Sequence, residues 1–400
     1  MSRTRLIAVG AVLAVLLILP FYVDEFWLRT GFAIFGAAIG ALGLNLLVGT
    51  AGQLSLAHSF FLAVGAIGYT VVTDSPSTVR AGELAGWHWP PLLGMIVGVL
   101  LAGLAGLAFS PIAARLRGIY LGVASLALVF IGQHVLNSWT SVTGGFNGRS
   151  VPDFAVFGLQ FSDTPALNVL GIPFREAEKL WYLGLVLLVG AFWFGRNLLR
   201  SRPGFALQTL RDSEVAASVA GVDVQRYKAG IFLLSSAYAG LSGVMYALSI
   251  GSIAPESFGL FVSIQYLAMI VLGGLGSLGG AIAGAAFVTA LPLVLQRYAD
   301  ALPLVSGAGG DGLAAGEAAR YLYGLAIVLV VLFQPTGLAG LAHRLSRVRL
   351  PGTGRTGGRT GGGAAARAPA PDGKARAAGG TDGSGSPDPA GSSTQGGTAR

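Results

Sequence analysis

Three polar side chains at the start of a long apolar run are the first candidates for chemistry in this sequence. Gln53, Ser55 and His58 lie in AGQLSLAHSFFLAVGA, residues 51–66. Polar groups at membrane depth normally face the interior of a helix bundle or a water-filled path. We therefore predict that these side chains line a solute path. The alternative is that they form hydrogen bonds to backbone groups at the start of a helix. His58 is not expected to bind a metal ion, because no second ligand lies at a suitable spacing.

Amide side chains form a second group of candidates. Gln133 and Asn137 are four residues apart, so a helix would place them on one face. Asn45 lies near the end of an earlier apolar run. Amides offer both hydrogen-bond donors and acceptors, which suits a zwitterionic solute. We add these three residues to the predicted solute path, although an ordinary interfacial helix end is an alternative for Gln133 and Asn137.

The residue patterns of an enzyme are missing from the sequence. It has no cysteine, and its four histidines are scattered at positions 58, 88, 134 and 343. No carboxylate pair, Ser-His-Asp arrangement or metal-ligand spacing stands out. The nucleotide-phosphate pattern G-x-x-x-x-G-K-[ST] does not occur either. We expect no catalytic residue, no metal site and no cofactor bound by this chain.

The composition indicates which kind of structure positions these candidates. Of the 400 residues, 53% are hydrophobic and 11% are charged, whereas soluble domains carry about 25% charged residues. Long apolar runs separated by polar loops then predict an all-α polytopic membrane protein. The net charge of +8 reflects basic cytoplasmic loops. It does not indicate nucleic-acid binding, since no basic patch is interleaved with stacking aromatic residues.

The apolar runs predict about ten transmembrane helices. Residues 6–23 are expected to be a retained first span, because they are not followed by the small-x-small site of a cleaved signal peptide. The later spans are predicted at residues 31–49, 51–72, 91–110, 118–137, 180–194, 229–250, 267–272, 281–295 and 321–333.

The distribution of charge gives the expected orientation. Lys and Arg are more frequent in the loops predicted as cytoplasmic, so both termini are predicted to lie inside. This orientation requires LGGLGSLGG, residues 272–280, to be a glycine turn between two helices. Residues 1–342 are then the transmembrane domain. Residues 343–400, rich in Gly, Ala, Pro, Ser and Thr, are predicted to be a disordered cytoplasmic tail.

Residues 196–228 form the longest polar segment between apolar runs that also has a helical pattern. Pro203 suits the first turn of a helix, and Asp212 or Ser213 suits the N-cap of a second short helix. Gly221 suits the C-terminus of that second helix. A basic loop of this kind is predicted on the cytoplasmic face. It either docks onto a soluble protein or rests on lipid as an interfacial amphipathic helix.

Several stretches together resemble the LivM-type permease subunit of branched-chain amino acid ABC importers. They occur in the family's order between positions 44 and 340. They read LNLLVGTAGQLSLAHSFFLAVGA, RLRGIYLGVASLAL, NSWTSVTGGFNG, RDSEVAASVAGVDVQRYK, APESF, VLGGLGSLGGAIAGA and YGLAIVLVVLFQPTGLAG. The resemblance implies a multi-pass protein of the bacterial inner membrane that moves leucine, isoleucine or valine inward.

The resemblance also implies partners. They are a second, LivH-type permease, two ABC ATPase subunits, an extracytoplasmic solute-binding protein and the surrounding membrane lipid. ATP and Mg would be used by the ATPase subunits and not by this chain. Two alternatives stay open: the same machinery carrying urea or short amides, and an ion-coupled secondary transporter, for which the predicted spans lack intramembrane carboxylates.

The central loop resembles the family's ATPase-coupling loop. The E-A-A pattern of importers corresponds here to Glu214, Ala216 and Ala217, followed by Gly221, with Val215 interrupting the usual order. Arg211 and Asp212 open the matched stretch, and we include both in the predicted coupling site.

Overall fold

A computed structural model describes residues 3–75, 77–79, 82–156, 159–162, 167–169, 172–298, 305–306, 313–333, 337–338 and 340. The predicted disordered tail at 343–400 lies outside the described residues.

Helices account for most of the described chain. In chain order they are α1 (Arg3–Ile18), α2 (Glu25–Leu44), α3 (His58–Thr73), α4 (Pro91–Arg115), α5 (Ile119–Ser138), α6 (Thr140–Thr143), α7 (Glu176–Arg200), α8 (Arg202–Asp212), α9 (Glu214–Val219), α10 (Val224–Ile250), α11 (Leu260–Gly273), α12 (Leu278–Arg297) and α13 (Ala315–Phe333). Short 3₁₀ turns occur at Leu19–Phe21, Gly145–Asn147 and Pro255–Phe258, and a π-helix follows α2 at Asn45–Thr50.

Strands of two or three residues pair within the loops. They are β1 (Ser77–Val79), β2 (Gly82–Leu84), β3 (Arg149–Ser150), β4 (Ala155–Val156), β5 (Leu159–Gln160), β6 (Leu167–Val169), β7 (Ile172–Phe174), β8 (Ser252–Ile253), β9 (Val305–Ser306) and β10 (Leu313–Ala314). β1–β2, β4–β5, β6–β7 and β3–β8 are antiparallel, and β9–β10 is parallel.

The helices confirm the predicted all-α polytopic class. Within the described residues, seven segments are long and apolar enough to cross a membrane: Glu25–Thr50, Pro91–Arg115, Ile119–Ser138, Glu176–Arg200, Val224–Ile250, Pro255–Gly273 and Leu278–Arg297. Shorter apolar helices occupy Gly10–Phe21, His58–Thr73 and Arg320–Leu329, where the first, third and tenth spans were predicted. The count of ten spans and their orientation stay predictions.

The helix α10 is the centre of the bundle, since it packs against α2, α3 and α4. Glycines allow this approach. A Cβ atom on Gly65 of α3 would overlap the backbone of Gly240 on α10, and one on Gly98 of α4 would meet the carbonyl of Gly65. Small residues at such crossings let helix backbones come into direct contact, which is how helices associate in lipid.

The third span differs from the sequence expectation because its first part is not helical. Residues 52–57 have no regular secondary structure, and α3 begins only at His58. Side chains from distant helices replace the missing helical bonds: Leu56 N donates to Ser125 Oγ at 2.8 Å, and Ser59 N donates to Ser263 Oγ at 2.9 Å. Non-helical backbone is tolerated at membrane depth where protein groups satisfy it in this way.

The glycine turn between the eighth and ninth predicted spans is confirmed. α11 ends at Gly273 and α12 begins at Leu278. Gly274 and Gly276 have φ values of +109° and +81°, a backbone region that other residues rarely adopt.

Arg149 holds together the loops at the end of the bundle opposite to the glycine turn. Its fully buried side chain donates to the carbonyls of Val142 at 2.6 Å and Ala85 at 2.9 Å, and pairs with Asp74 at 3.1 Å. One charged side chain thus joins the end of α3, the loop before α4 and the region after α5. A buried guanidinium needs partners of this kind, so these loops form an ordered cap.

We expect Gly65→Val to lower the thermal stability of the purified protein by several degrees, because the added carbons overlap the backbone of Gly240. Overpacking of this type costs about 1–3 kcal/mol. The matched control is Gly190→Val on α7, where a Cβ would meet no atom within 4 Å. Equal melting temperatures for the two variants in detergent would contradict the close crossing of α3 and α10.

Candidate functional site

Two short helices, α8 and α9, connect α7 to α10 and form the segment predicted to couple to a partner. Pro203 lies in the first turn of α8. Ser213 is the N-cap of α9 and accepts a hydrogen bond from Ala216 N at 3.2 Å. Gly221 follows α9 with φ of +82°. The predicted pair of helices and their terminal residues are therefore confirmed.

The two helices have one buried and one exposed face. Leu207, Leu210 and Ala217 are buried against the bundle. On the exposed face, Val215 and Val219 are four residues apart on α9 and both point away from the bundle, with Val219 84% exposed. Ala216 and Ala217, both included in the predicted coupling site, lie on different faces, because only Ala217 packs inward. Asp212 is exposed at the end of α8.

Glu214 is held by two cations from neighbouring elements. Its Oε1 lies 2.6 Å from Nζ of Lys228, at the start of α10, and its Oε2 lies 2.9 Å from Nε of Arg117, which follows α4. The Lys228 side chain is fully buried, whereas Arg117 is 71% exposed. Lys228 Nζ makes no hydrogen bond to any other group in the described residues. Glu214 therefore neutralises a buried charge and fastens α9 to α10.

A second junction joins α8 to the π-helix and the glycine turn. Arg211 Nη1 donates to the carbonyl of Gly49. The amide of Asn45 bridges the turn, accepting from Gly276 N at 2.8 Å and donating to the carbonyl of Ser277 at 3.0 Å. A Cβ atom on Gly49 would overlap Asn45 Oδ1 and Gly276 N. The four elements α2, α8, α11 and α12 are thereby tied together at one end of the bundle.

The structure does not bring the predicted solute-path residues into one site. Asn45 is engaged in the junction with the glycine turn. Gln53, Ser55 and His58 are buried in or just after the non-helical segment 52–57.

Two atoms of that buried segment, Gln53 Oε1 and His58 Nε2, have no hydrogen-bond partner among the described groups. Gln133 and Asn137 are half-buried on α5, with Gln133 beside Gly259. A role in solute passage stays a prediction for all six residues.

Sequence reasoning missed the roles of Lys228 and Arg117. Lys228 stands at the border of an apolar run, where a basic residue is ordinarily counted only as an orientation signal. Its partner Glu214 lies in a different helix, so no periodic pattern links them.

The fold and its junctions define the class: an α-helical polytopic membrane protein with two short, partly exposed helices inserted between spans. Residues 26–332 match the family model described as "Branched-chain amino acid transport system / permease component". The chain belongs to this family.

Curated relatives agree with the family model. The chain is 30% identical over 308 residues to the high-affinity branched-chain amino acid transport system permease protein LivM of Escherichia coli K12, covering 74% of this chain and 66% of that relative. It is 23% identical over 316 residues to the probable LivM permease of Methanocaldococcus jannaschii, covering 76% and 84%. The E. coli LivH permease is 23% identical over 310 residues, covering 76% and 91%. No solved structure matches the chain.

We expect Glu214→Gln to destabilise the protein by about 3–5 kcal/mol, since it leaves the buried Lys228 ammonium unpaired. Glu214→Gln combined with Lys228→Met removes both charges, and we expect its stability to return close to that of the wild type. The measurement is thermal unfolding of the purified variants.

The control for this pair is Asp223→Asn. It removes the exposed ion pair with Arg226 but keeps a side-chain oxygen at the N-cap of α10, so the change should stay below about 1 kcal/mol. The loss of stability in the double variant could instead equal the sum of the losses in Glu214→Gln and Lys228→Met alone. That result would contradict a stabilising interaction between Glu214 and Lys228.

Proposed function

We propose that this chain is a permease subunit of an ABC importer that carries the branched-chain amino acids leucine, isoleucine and valine into the cell. The family match and the printed names of the LivM relatives support this function. In this role the chain itself hydrolyses nothing and binds no cofactor. The two partner ATPase subunits use ATP and Mg, and the chain resides in the inner membrane of a bacterium.

The remaining partners follow from the same proposal. A LivH-type permease completes the membrane part, and the similarity of this chain to both LivM and LivH relatives supports a pair of related subunits. An extracytoplasmic binding protein delivers the solute at the end capped by Arg149. Ten spans place both termini in the cytosol. The three shorter apolar helices supply the spans that the seven long segments leave out.

The observation that carries the proposal is the arrangement of α9. Its outer face leaves Val215 and Val219 exposed, while Glu214 on its inner side is bound to Lys228. Exposed apolar side chains on a rigidly attached helix suit a protein partner better than free solution. In the proposed mechanism the ATPase subunit docks on this face.

Two sets of contacts would transmit a movement of the docked helices to the rest of the bundle. The ion pair of Glu214 with Lys228 pulls on α10, which packs against α2, α3 and α4. The bond from Arg211 to Gly49 pulls on the end of α2, which Asn45 joins to the turn between α11 and α12. Displacement of α8 and α9 is therefore passed on to the central helices. We propose that this switches the bundle between outward-open and inward-open states.

We expect Val219→Asp to abolish most leucine uptake by the assembled transporter and to weaken co-purification of the ATPase subunits at least tenfold, because a carboxylate would be buried in an apolar contact. Val219 is 84% exposed, so insertion and melting temperature should not change. The matched control is Tyr22→Asp, which adds the same charge at an equally exposed site (84%) at the far end of the bundle.

Normal ATPase association in Val219→Asp would count against docking on α9. Competition experiments on the wild-type transporter separate the solutes: excess valine should suppress leucine uptake, whereas urea and acetamide should not. Uptake that survives ATP depletion and fails on collapse of the ion gradient would instead identify an ion-coupled secondary transporter.

A further inference from the structure

A cavity of about 440 Å³ lies among α2, α10, α11 and α12. It is lined by Arg29 near the start of α2, by Ser249 near the end of α10 and by Ser257 in the loop before α11. These residues lie at the end of the bundle remote from the junction of Arg211 with Gly49. Its volume lies within the range of about 300–1,000 Å³ typical of small-molecule sites. None of the six residues predicted for the solute path lines it.

One part of the wall offers hydrogen-bond acceptors. Ser242 Oγ donates to the carbonyl of Gly36 at 2.7 Å and lies 2.8 Å from the hydroxyl of Tyr266. A hydroxyl has a single proton, and that of Ser242 is already used, so Tyr266 must be the donor of their shared bond. The Tyr266 oxygen then keeps only acceptor capacity. Such an oxygen favours a ligand with N–H donors over an anion.

Thr289 adds an unused polar group to the same cavity. Its Oγ1 is shielded from solvent and has no hydrogen-bond partner among the described residues. A threonine hydroxyl in a helix commonly bonds to a carbonyl one turn earlier. The buried hydroxyl at Thr289 forgoes this bond, and leaving it unpaired costs free energy. A ligand that bonds to Thr289 would recover that cost.

Much of the remaining wall is apolar, and the polar side chains of Thr30, Tyr246 and Gln265 also line it. The apolar part is formed by Leu62, Met245, Met269 and Val288. Methionine side chains are flexible and accommodate apolar groups of differing shape. This surface suits a branched aliphatic side chain and does not restrict it to a single isomer.

The mouth of the cavity carries both signs of charge. Arg29 pairs with Glu25 at 2.7 Å and with Glu176 at 3.3 Å, and the Arg29 side chain is about half exposed. A zwitterion entering here would meet a guanidinium for its carboxylate and carboxylates for its ammonium. A fatty acyl chain has no such need, so the combination of a charged mouth and polar wall favours a zwitterionic occupant.

We propose that this cavity is a binding site for the transported solute within the permease subunit, and that it takes small α-amino acids with apolar side chains. The ammonium group binds the oxygens of Tyr266 and Thr289, and the side chain packs on the methionine wall. Arg29 at the mouth attracts the carboxylate. This proposal rests on the proposed importer function. It adds a solute-binding site in the permease, on the path from the binding protein to the cytosol.

The test uses the complete transporter in liposomes, with the binding protein present and saturated with a diazirine analogue of leucine. Irradiation should attach the analogue to residues of α10, α11 and α12 that line the cavity, and excess leucine should suppress the labelling. Ala33→Leu fills the cavity from α2 and should reduce labelling at least fivefold.

Thr289→Val and Tyr266→Phe should each lower leucine turnover about tenfold at saturating loaded binding protein, since each removes an oxygen that binds the ammonium. The control is Thr70→Val, which removes a buried hydroxyl of α3 that bonds to Ile67 and lies outside the cavity. It should keep wild-type turnover. Melting temperatures of all four variants identify any that fail to fold.

The outcomes separate the site from the function. Wild-type leucine uptake without labelling of the cavity, or with full turnover in both Thr289→Val and Tyr266→Phe, would overturn the site and leave the importer standing. Labelling by a photoactivatable phospholipid that leucine does not displace would also overturn it. A wild-type transporter that carries no branched-chain amino acid would overturn the proposed function itself.

Discussion

The buried ion pair between Lys228 and Glu214 is the interaction on which this end of the bundle, with its two short helices, depends. A fully buried ammonium without a partner is unfavourable in free energy. Separation of α9 from α10 would leave Lys228 in that state. Arg211 and Asn45 add polar links to the π-helix of α2 and to the glycine turn. The short helices are thus continuous with the bundle on one face and exposed on the other, as the proposed lever between two proteins requires.

In the proposed mechanism the rest of the bundle transmits displacement because its helices touch directly. Gly65, Gly98 and Gly240 bring α3, α4 and α10 into backbone contact, and close-packed helices of this kind slide or tilt as units. At the other end Arg149 holds the loops together. Between these two fastened ends lies the cavity beside Tyr266, where a helix displacement would change the volume open to a solute.

The sequence was informative wherever a signal is local. Apolar runs located the apolar helices, Ser213 and Gly221 marked the ends of α9, and the glycines at 274 and 276 marked the turn. It was uninformative wherever the cause lies far along the chain. Backbone N–H groups at the non-helical start of the third span donate hydrogen bonds to Ser125 and Ser263, and the partner of Lys228 lies on the preceding helix. The cavity arises from the packing of four helices, which no single stretch encodes.

In the proposed transporter α9 faces the cytosol and the loop after α6 faces the opposite side of the membrane. The chain has no cysteine, so a single introduced thiol reports one position alone. Val219→Cys and Phe146→Cys place thiols at comparably exposed sites, 84% and 86%. In intact spheroplasts a membrane-impermeant maleimide should label only the thiol at 146, and the thiol at 219 should react after permeabilisation. Labelling of the thiol at 219 from outside would contradict the account.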